Sequence, residues 1–389
     1  MLTPLSLTPS FGFGDRLGLA TPGHIAAVKN TSLAPIFAQQ SVRENARTGR
    51  TPQQVMDDAK RAVESASWDA PWGADADHLK TVDDLPPFVA AGYTFYTVDP
   101  GAFVDNAADT DQLSVLHEKA KGQYWDDVSS RYLHKTAVTS IGSFEIDTLL
   151  RAVVKYGLAI RHTVEMYQRL CQLKDVFDFE VSVDETDSPT TPLEHYFIAS
   201  ELTRLGVHFT SLAPRFIGRF EKGVDYIGDL AALNAEMALH AAVTSYFGTY
   251  KVSLHSGSDK FSVYPLIVKH WGNRLHVKTA GTSYLEALRT LAVTEPDLFN
   301  RILSLGLERY PIDRATYHVS AELEKVPPGT AGPSLLDDFH AREVLHVTFG
   351  SALTQFGAEI KSALIRHADT YNANLLKHFR KHLDLLVCG

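Results

Sequence analysis

The chain has 389 residues, 44% of them hydrophobic, enough to bury the core of one large α/β barrel or of two ordinary domains. Forty-six acidic residues against 37 basic ones leave a net charge of −9, and no Lys/Arg run interrupts that balance, which argues against nucleic acid as a partner. Cys171 and Cys388 have no metal-like spacing and form neither a disulfide framework nor a zinc ribbon. With no basic leader before an apolar stretch, and no uncharged apolar run of the roughly 18 residues a membrane span needs, the expectation is a soluble cytoplasmic protein that does not meet a membrane.

Along the chain, short apolar or β-branched runs that end in polar residues alternate with helical patterns, as in a parallel βα protein. Ten runs stand out: LGLAT at Leu17, IFAQQS at Ile36, PWGADADH at Pro71, YTFYTVDPG at Tyr93, FDFEVSVDET at Phe177, VHFTSLAP at Val207, YKVSLHSGSDK at Tyr250, LHVKTAG at Leu275, TYHVSAE at Thr316 and VLHVTFG at Val344. The expected fold is a TIM-type (β/α)8 barrel spanning residues 1–389; a barrel closes with eight strands, so two of the ten runs are expected to fall away. FGFGDRLG at Phe11 lacks the preceding strand and third glycine of a dinucleotide fingerprint, and a Rossmann reading is set aside.

Helices are expected over 52–67, 111–121, 145–173 and 283–307, the last opened by a Gly-Thr-Ser start with Glu286 three residues after Ser283. Residues 101–176 form the longest break between strands and read as a helical insertion or lid between the fourth and fifth strands. The stretch 326–333, VPPGTAGP, reads as a loop, and 351–389 as a C-terminal helix. In TDSPTTPLEHYFIASEL, Thr190 or Thr191 caps a helix with Pro192 in its first turn, making Glu194 and His195 helical rather than catalytic.

A βα barrel packs its interior and places reacting groups at the C-terminal strand ends and the loops beyond them. Those positions carry Asp75, Asp77 and His78; Asp184, Glu185 and Asp187; Arg215, Glu221, Lys222 and Asp225; and His255, Asp259 and Lys260. Imidazoles and carboxylates gathered from several strands suit a divalent transition metal with open positions, a Lewis acid for sugar oxygens. His276, His318 and His346 sit early in their runs and read as core histidines. Lys278 shares a face with His276, and a buried lysine there requires either a substrate carboxylate or an internal carboxylate partner. HSGSDK and AGTS place small residues where a sugar or a tight βα turn fits.

The blocks FGFGDRLGLATPGH, GADADHLKT, DETDSPTTPLEHYFIASEL, SLAPRFIGRFEKGVDYIGDL, SLHSGSDKFSVYP, HVKTAGTSYLEALR, TYHVSAEL and VLHVTFGS run from Phe11 to Ser351 and resemble the tagaturonate epimerase family. The resemblance implies a metal-dependent C4 epimerisation of D-tagaturonate to D-fructuronate, or of tagatose and fructose, in hexuronate catabolism. It implies a divalent cation, Mn, Fe, Co, Ni or Zn, on His78, Glu221 and His255. Asp77 is then the base and Glu185 the acid, with Asp184 and Asp225 as alternatives to their neighbours. Arg215, Lys222, Asp259, Lys260 and Lys278 are the implied substrate contacts; oligomeric state is left open.

The C4 hydrogen of a 2-keto sugar acid is not adjacent to the C2 carbonyl, so direct abstraction has no enolate to support it. Two routes remain: retro-aldol cleavage of C3–C4 with re-addition on the other aldehyde face, or carbonyl migration to C3 followed by proton exchange at C4. The pair Asp77 and Glu185 points toward proton transfer. A metal-dependent aldolase or aldose-ketose isomerase of sugar acids would use nearly the same residues. A sugar-binding barrel without catalysis would not need so many acid/base groups.

Overall fold

A computed structural model of the chain describes residues 1–123, 125–328 and 332–387; Cys388 and part of the 326–333 loop lie outside them. The barrel strands are β1 (Ser10–Phe13), β2 (Ala34–Ser41), β3 (Gly73–Leu79), β4 (Phe95–Val98), β5 (Asp178–Ser182), β6 (Ser211–Ala213), β7 (Lys251–Leu254) and β8 (Leu275–Thr279). They are all parallel and close in sequence order, with β1 pairing β8. This is a TIM-type (β/α)8 barrel. No helix among the described residues is long and apolar enough to cross a membrane.

Seven of the ten runs are barrel strands, and the three others are corrected by where their backbone groups bond. At LGLAT the amides of Leu17, Gly18 and Ala20 turn onto the Asp15 carboxylate, leading into the helix Thr21–Val28. In TYHVSAE the amides of Ser320 and Ala321 go to the Glu221 and Glu343 carboxylates instead of a neighbouring strand. VLHVTFG belongs to the helix Phe339–Val347, capped by Asp338, because a short buried apolar run does not distinguish strand from helix. The eighth strand is instead SFGF, whose Gly12 leaves room for Gln39: a Cβ there would stand 1.6 Å from Gln39 Oε1.

Helices cover the barrel much as patterned. Pro52–Ser65 starts with a Thr51/Gln54 capping box, and Pro192–Arg204 with a Thr191/Glu194 box. The 283–307 pattern divides into Thr282–Thr294 and Pro296–Asp313, since proline has no amide to continue the first helix. Between β4 and β5 lie two 3-10 turns, the helices Leu113–Lys121 and Trp125–Tyr132, and a small antiparallel pair (Thr136–Val138, Gly142–Ser143). The long helix Ile146–Leu173 closes this segment. The tail is two helices, Phe349–Arg366 and Ala368–Leu386; the second packs against Thr21–Val28 and Thr282–Thr294.

Inside the barrel the chemistry changes with height. Leu5, Ile36 and Phe95 plug the N-terminal mouth, held by Leu5 and Ser6 amides on the Asp178 carboxylate. Above them Lys251 Nζ and His276 Nδ1 meet at Ser10 Oγ, 2.9 Å from each. Higher still the lumen is lined by Asp75, Thr97, Glu180 and Lys278, all buried. Such a polar column survives burial only if every charge is paired, and that pairing builds the site above it.

Candidate active site

The β3–β4 pairing slips by one residue between Ala76 and Leu79, a bulge that re-aims two consecutive side chains, Asp77 and His78, at the barrel mouth. His78 holds a left-handed φ of 53°, a conformation disfavoured for a residue with a Cβ and typical of functional sites. Its Nδ1 lies 2.7 Å from Asp77 Oδ1. On the opposite side His255, just beyond β7, sets Nε2 2.7 Å from Glu180 Oε1. The remaining ring nitrogens face one carboxylate: Asp184 Oδ1 is 3.0 Å from His255 Nδ1 and 3.8 Å from His78 Nε2. One ligand atom from each of His78, Asp184 and His255 lies within 4.8 Å of the others. Two imidazoles, each fixed by a carboxylate on its far nitrogen and converging on a third carboxylate, are a donor set that could hold a transition metal, with the two outer carboxylates as its supporting shell.

Beneath them Lys278 Nζ lies 2.6 Å from Asp75 Oδ2, 2.8 Å from Asp77 Oδ1 and 2.9 Å from Glu180 Oε1, and also donates to Thr97 Oγ1. Thr97 in turn donates to Asp75, and Ser211 Oγ to Glu180 Oε2 at 2.6 Å. Burial opposes charge on all these acids. Around Asp77 the cations His78 and Lys278 outweigh burial and hold it well below the usual carboxylate range; Lys278 and His255 do the same for Glu180. Asp75 goes the other way, pushed up to about 7 by burial despite Lys278, with Asp77 and Glu180 adding repulsion. Burial would lower both imidazoles, but the carboxylates facing them raise His78 and His255.

Over this cluster opens a cavity of about 300 Å³ whose wall includes Arg43, Glu185, Arg215, Glu221, Lys222 and Ser256. Glu185 has a side chain 35% exposed and, among the described residues, a single long contact, 3.5 Å, from Arg43. Lys222 Nζ donates to Ser256 Oγ at 2.7 Å, and among the described residues neither Lys222 nor Arg215 has a carboxylate partner. These two cations therefore offer charge to a cavity occupant.

The other assigned residues point elsewhere. Glu221 lies on the cavity wall but apart from the two imidazoles: Oε2 accepts from Ser320 N and Oγ, and Oε1 pairs with Arg219 at 3.4 Å. Asp225 accepts from Ser262. Lys260 is buried and its ammonium goes to the carbonyls of Glu221, Val224 and Ser258, leaving no donor for a sugar. Asp259 is bonded by Arg342 at 2.8 Å and His378 at 2.5 Å. Lys278, placed among substrate contacts in the sequence, is saturated by internal carboxylates. Of the three histidines read as core, His276 and His346 are buried, the latter against Gly281, whereas His318 borders the cavity.

Three participants went unnoticed in the sequence. Glu180 was detectable as an acid in mid-strand FDFEVS, flanked by apolar residues. Arg43 and Tyr317 were not: they reach the cavity wall from the ends of non-adjacent segments, with the Tyr317 ring 5.5 Å from the Arg43 guanidinium.

Known proteins resemble this chain over almost its full length. The tagaturonate epimerase family model matches residues 3–386. A tagaturonate/fructuronate epimerase of Thermotoga maritima is 44% identical, over 98% of this chain and 81% of that protein. The crystal structure of fructuronate-tagaturonate epimerase UxaE from Cohnella laeviribosi, with one glycerol, superposes with a TM-score of 0.95 at 39% identity, covering 99% of this chain and 83% of that one. A probable tagatose 6 phosphate kinase from Sinorhizobium meliloti, at 11% identity and a TM-score of 0.53, over 97% of this chain and 99% of that one, shares the fold alone. The chain belongs to the tagaturonate epimerase family and is a carbohydrate epimerase of the isomerase class.

Proposed function

We propose that the chain interconverts D-tagaturonate and D-fructuronate at C4, using a divalent cation held by His78, Asp184 and His255. The observation that carries this reading is the convergence of two carboxylate-oriented imidazoles on Asp184 at the inner end of the cavity. Asp184 takes the third position in place of Glu221, whose carboxylate is bound to Ser320. Mn, Fe, Co, Ni and Zn all accept two imidazoles and a carboxylate. When bound, such an ion supplies the positive charge that polarises the keto sugar's oxygens.

The chain's own groups divide the rest of the work. Asp77 and Glu180 fix the imidazole rings, which moves Asp77 from base to orienting residue. Lys222 and Arg215 take the C6 carboxylate. Glu185 is the carboxylate left to handle protons: it stands on the cavity wall with the Arg43 guanidinium 3.5 Å away, a cation that favours its ionised form, as a base requires. A single such group favours the retro-aldol route over exchange between two carboxylates. Glu185 accepts the O4 proton as the C3–C4 bond breaks toward C3. After the aldehyde fragment turns over and the bond re-forms on its other face, Glu185 returns the proton to O4.

Chelation tests the metal: the stripped protein is expected to lose its epimerase rate and regain it with an added divalent ion, and an unchanged rate would sink the site. Product analysis with tagaturonate, fructuronate, tagatose and fructose is expected to yield C4 epimers rather than fragments or aldoses. In D2O the retro-aldol route leaves C4 unlabelled; deuterium at C4 would return the mechanism to proton exchange.

A further inference from the structure

Among the described residues, Lys278 is the one cation that touches both carboxylates behind the imidazoles. Asp77 Oδ1 is shared between His78 Nδ1, at 2.7 Å, and Lys278 Nζ, at 2.8 Å. Glu180 Oε1 is shared in the same way between His255 Nε2, at 2.7 Å, and Lys278 Nζ, at 2.9 Å. The two halves of the site come from different stretches of the barrel, β3 with its bulge and β5 with β7, and this ammonium pairs with a carboxylate from each. Its third carboxylate, Asp75, has no imidazole partner among the described residues. The side chain is 5% exposed, its reach is fixed by β8, and Thr97 and the Phe95 ring, 5.5 Å away, close its remaining sides.

We infer that Lys278 is a positioning residue for the metal site, holding Asp77 and Glu180 where they orient His78 and His255. This rests on the metal reading above. Three carboxylates gathered in a dry lumen repel one another; without a cation among them Asp77 and Glu180 are driven apart, which frees the imidazole each one holds. An orienting carboxylate turned away from its histidine typically costs about 10–100-fold in metal affinity. The same geometry excludes a direct substrate role, because a lysine ammonium has three donors and all are engaged by protein oxygens below the cavity floor.

The test is a titration of the full chain, stripped with a chelator, with Co2+ alone, followed by calorimetry and by the visible d–d bands that report coordination geometry. Lys278→Met is expected to raise the Co2+ dissociation constant at least tenfold and to alter the bands, while the KM for tagaturonate at saturating Co2+ stays within about threefold of wild type. Glu180→Gln is expected to weaken Co2+ binding on its own. The double variant should be little worse than Lys278→Met, because both changes act through His255. Lys278→Arg keeps the charge for folding but replaces the compact ammonium with a planar fork, and it is expected to fold and still lose tenfold in Co2+ affinity. Unchanged Co2+ affinity in folded Lys278→Met or Lys278→Arg overturns the inference, as does a KM increase with Co2+ binding intact, which would make Lys278 a substrate contact. A wild-type chain that takes up no Co2+, Mn2+, Ni2+ or Zn2+ would instead bring down the metal reading and this inference together.

Discussion

Two clusters in this chain have the same formula, one aspartate and two histidines, and sit a few residues apart along the loop after β7. Asp184 and His255 line the cavity, with His78 beside them; Asp259, His378 and His382 form a second group, all buried. In the first, each imidazole gives one nitrogen to an orienting carboxylate and turns the other toward Asp184. In the second, no donor is spare. Asp259 Oδ2 accepts from Arg342 and Oδ1 from His378, while His382 accepts the Asp259 amide at Nε2 and donates from Nδ1 to the His378 carbonyl. The first cluster gathers its nitrogens on one carboxylate beside the cavity, where a metal could be held; the second fastens the loop carrying His255 to the C-terminal helices. Convergence beside a cavity, rather than residue type, separates the proposed ligand set from a clamp.

The largest effects should fall on opposite properties at the two clusters. His255→Ala is expected to cost at least about 10³-fold in kcat/KM and to strip the metal, because a ligand and its converging geometry go together. Metal analysis and steady-state kinetics on the same preparation check this; full metal occupancy would reverse the comparison. Asp259→Ala is expected to lower stability by about 3–5 kcal/mol, since Arg342 and His378 lose the charge they share in a buried place. Its denaturant midpoint should fall while the folded fraction keeps its metal. If Asp259→Ala were metal-free and as stable as wild type, the clamp would be a ligand set after all.

The contrast also marks what the sequence carried. Strand ends were legible because GADADH, VSLHSGSDK and LHVKTAG each join a β run to polar residues, and seven strands followed. SFGF was missed because a four-residue strand with a central glycine looks like a loop until Gln39 is seen filling the glycine's place. VLHVTFG was misread because burial on all sides erases the period that tells helix from strand. Within the site, His78 and His255 were identifiable from their positions, but the third carboxylate was not. Asp184, Glu185, Glu221 and Asp225 all follow strands, and only the register of the bulge and the path of the Ser320 segment decide which of them meets the imidazoles.

On the cavity side, the cations should separate acids from neutral sugars. Among the described residues Lys222 has only a hydroxyl partner, so Lys222→Met is expected to raise the KM for tagaturonate about 10- to 100-fold, the scale of one charge-assisted hydrogen bond, with tagatose turnover little changed. Parallel kinetics on the two sugars measure the difference. An equal loss on both would assign Lys222 to holding Ser256 rather than to the carboxylate.

The smallest effect is a pH dependence that belongs to the clamp. His382 is pushed down to about 3 by burial; Asp259 opposes that shift, and His378 and Arg342 reinforce it. It stays neutral in the folded chain while its unfolded counterpart protonates near 6.5. A folded pKa below the unfolded one means that its contribution is complete above pH 6.5 and is lost as pH falls toward 3. Across that window each such histidine steepens acid destabilisation by about 1.4 kcal/mol per pH unit at most. His24, His240 and His276 are shifted the same way and share the load. His382→Gln keeps an acceptor for the Asp259 amide but cannot titrate, so urea midpoints measured between pH 6 and 4 should fall less steeply in the variant, by about 1 kcal/mol per unit. Parallel slopes would mean that His382 takes up its proton in the folded chain, with Asp259 as its partner, and that the clamp has the spare valence denied to it above.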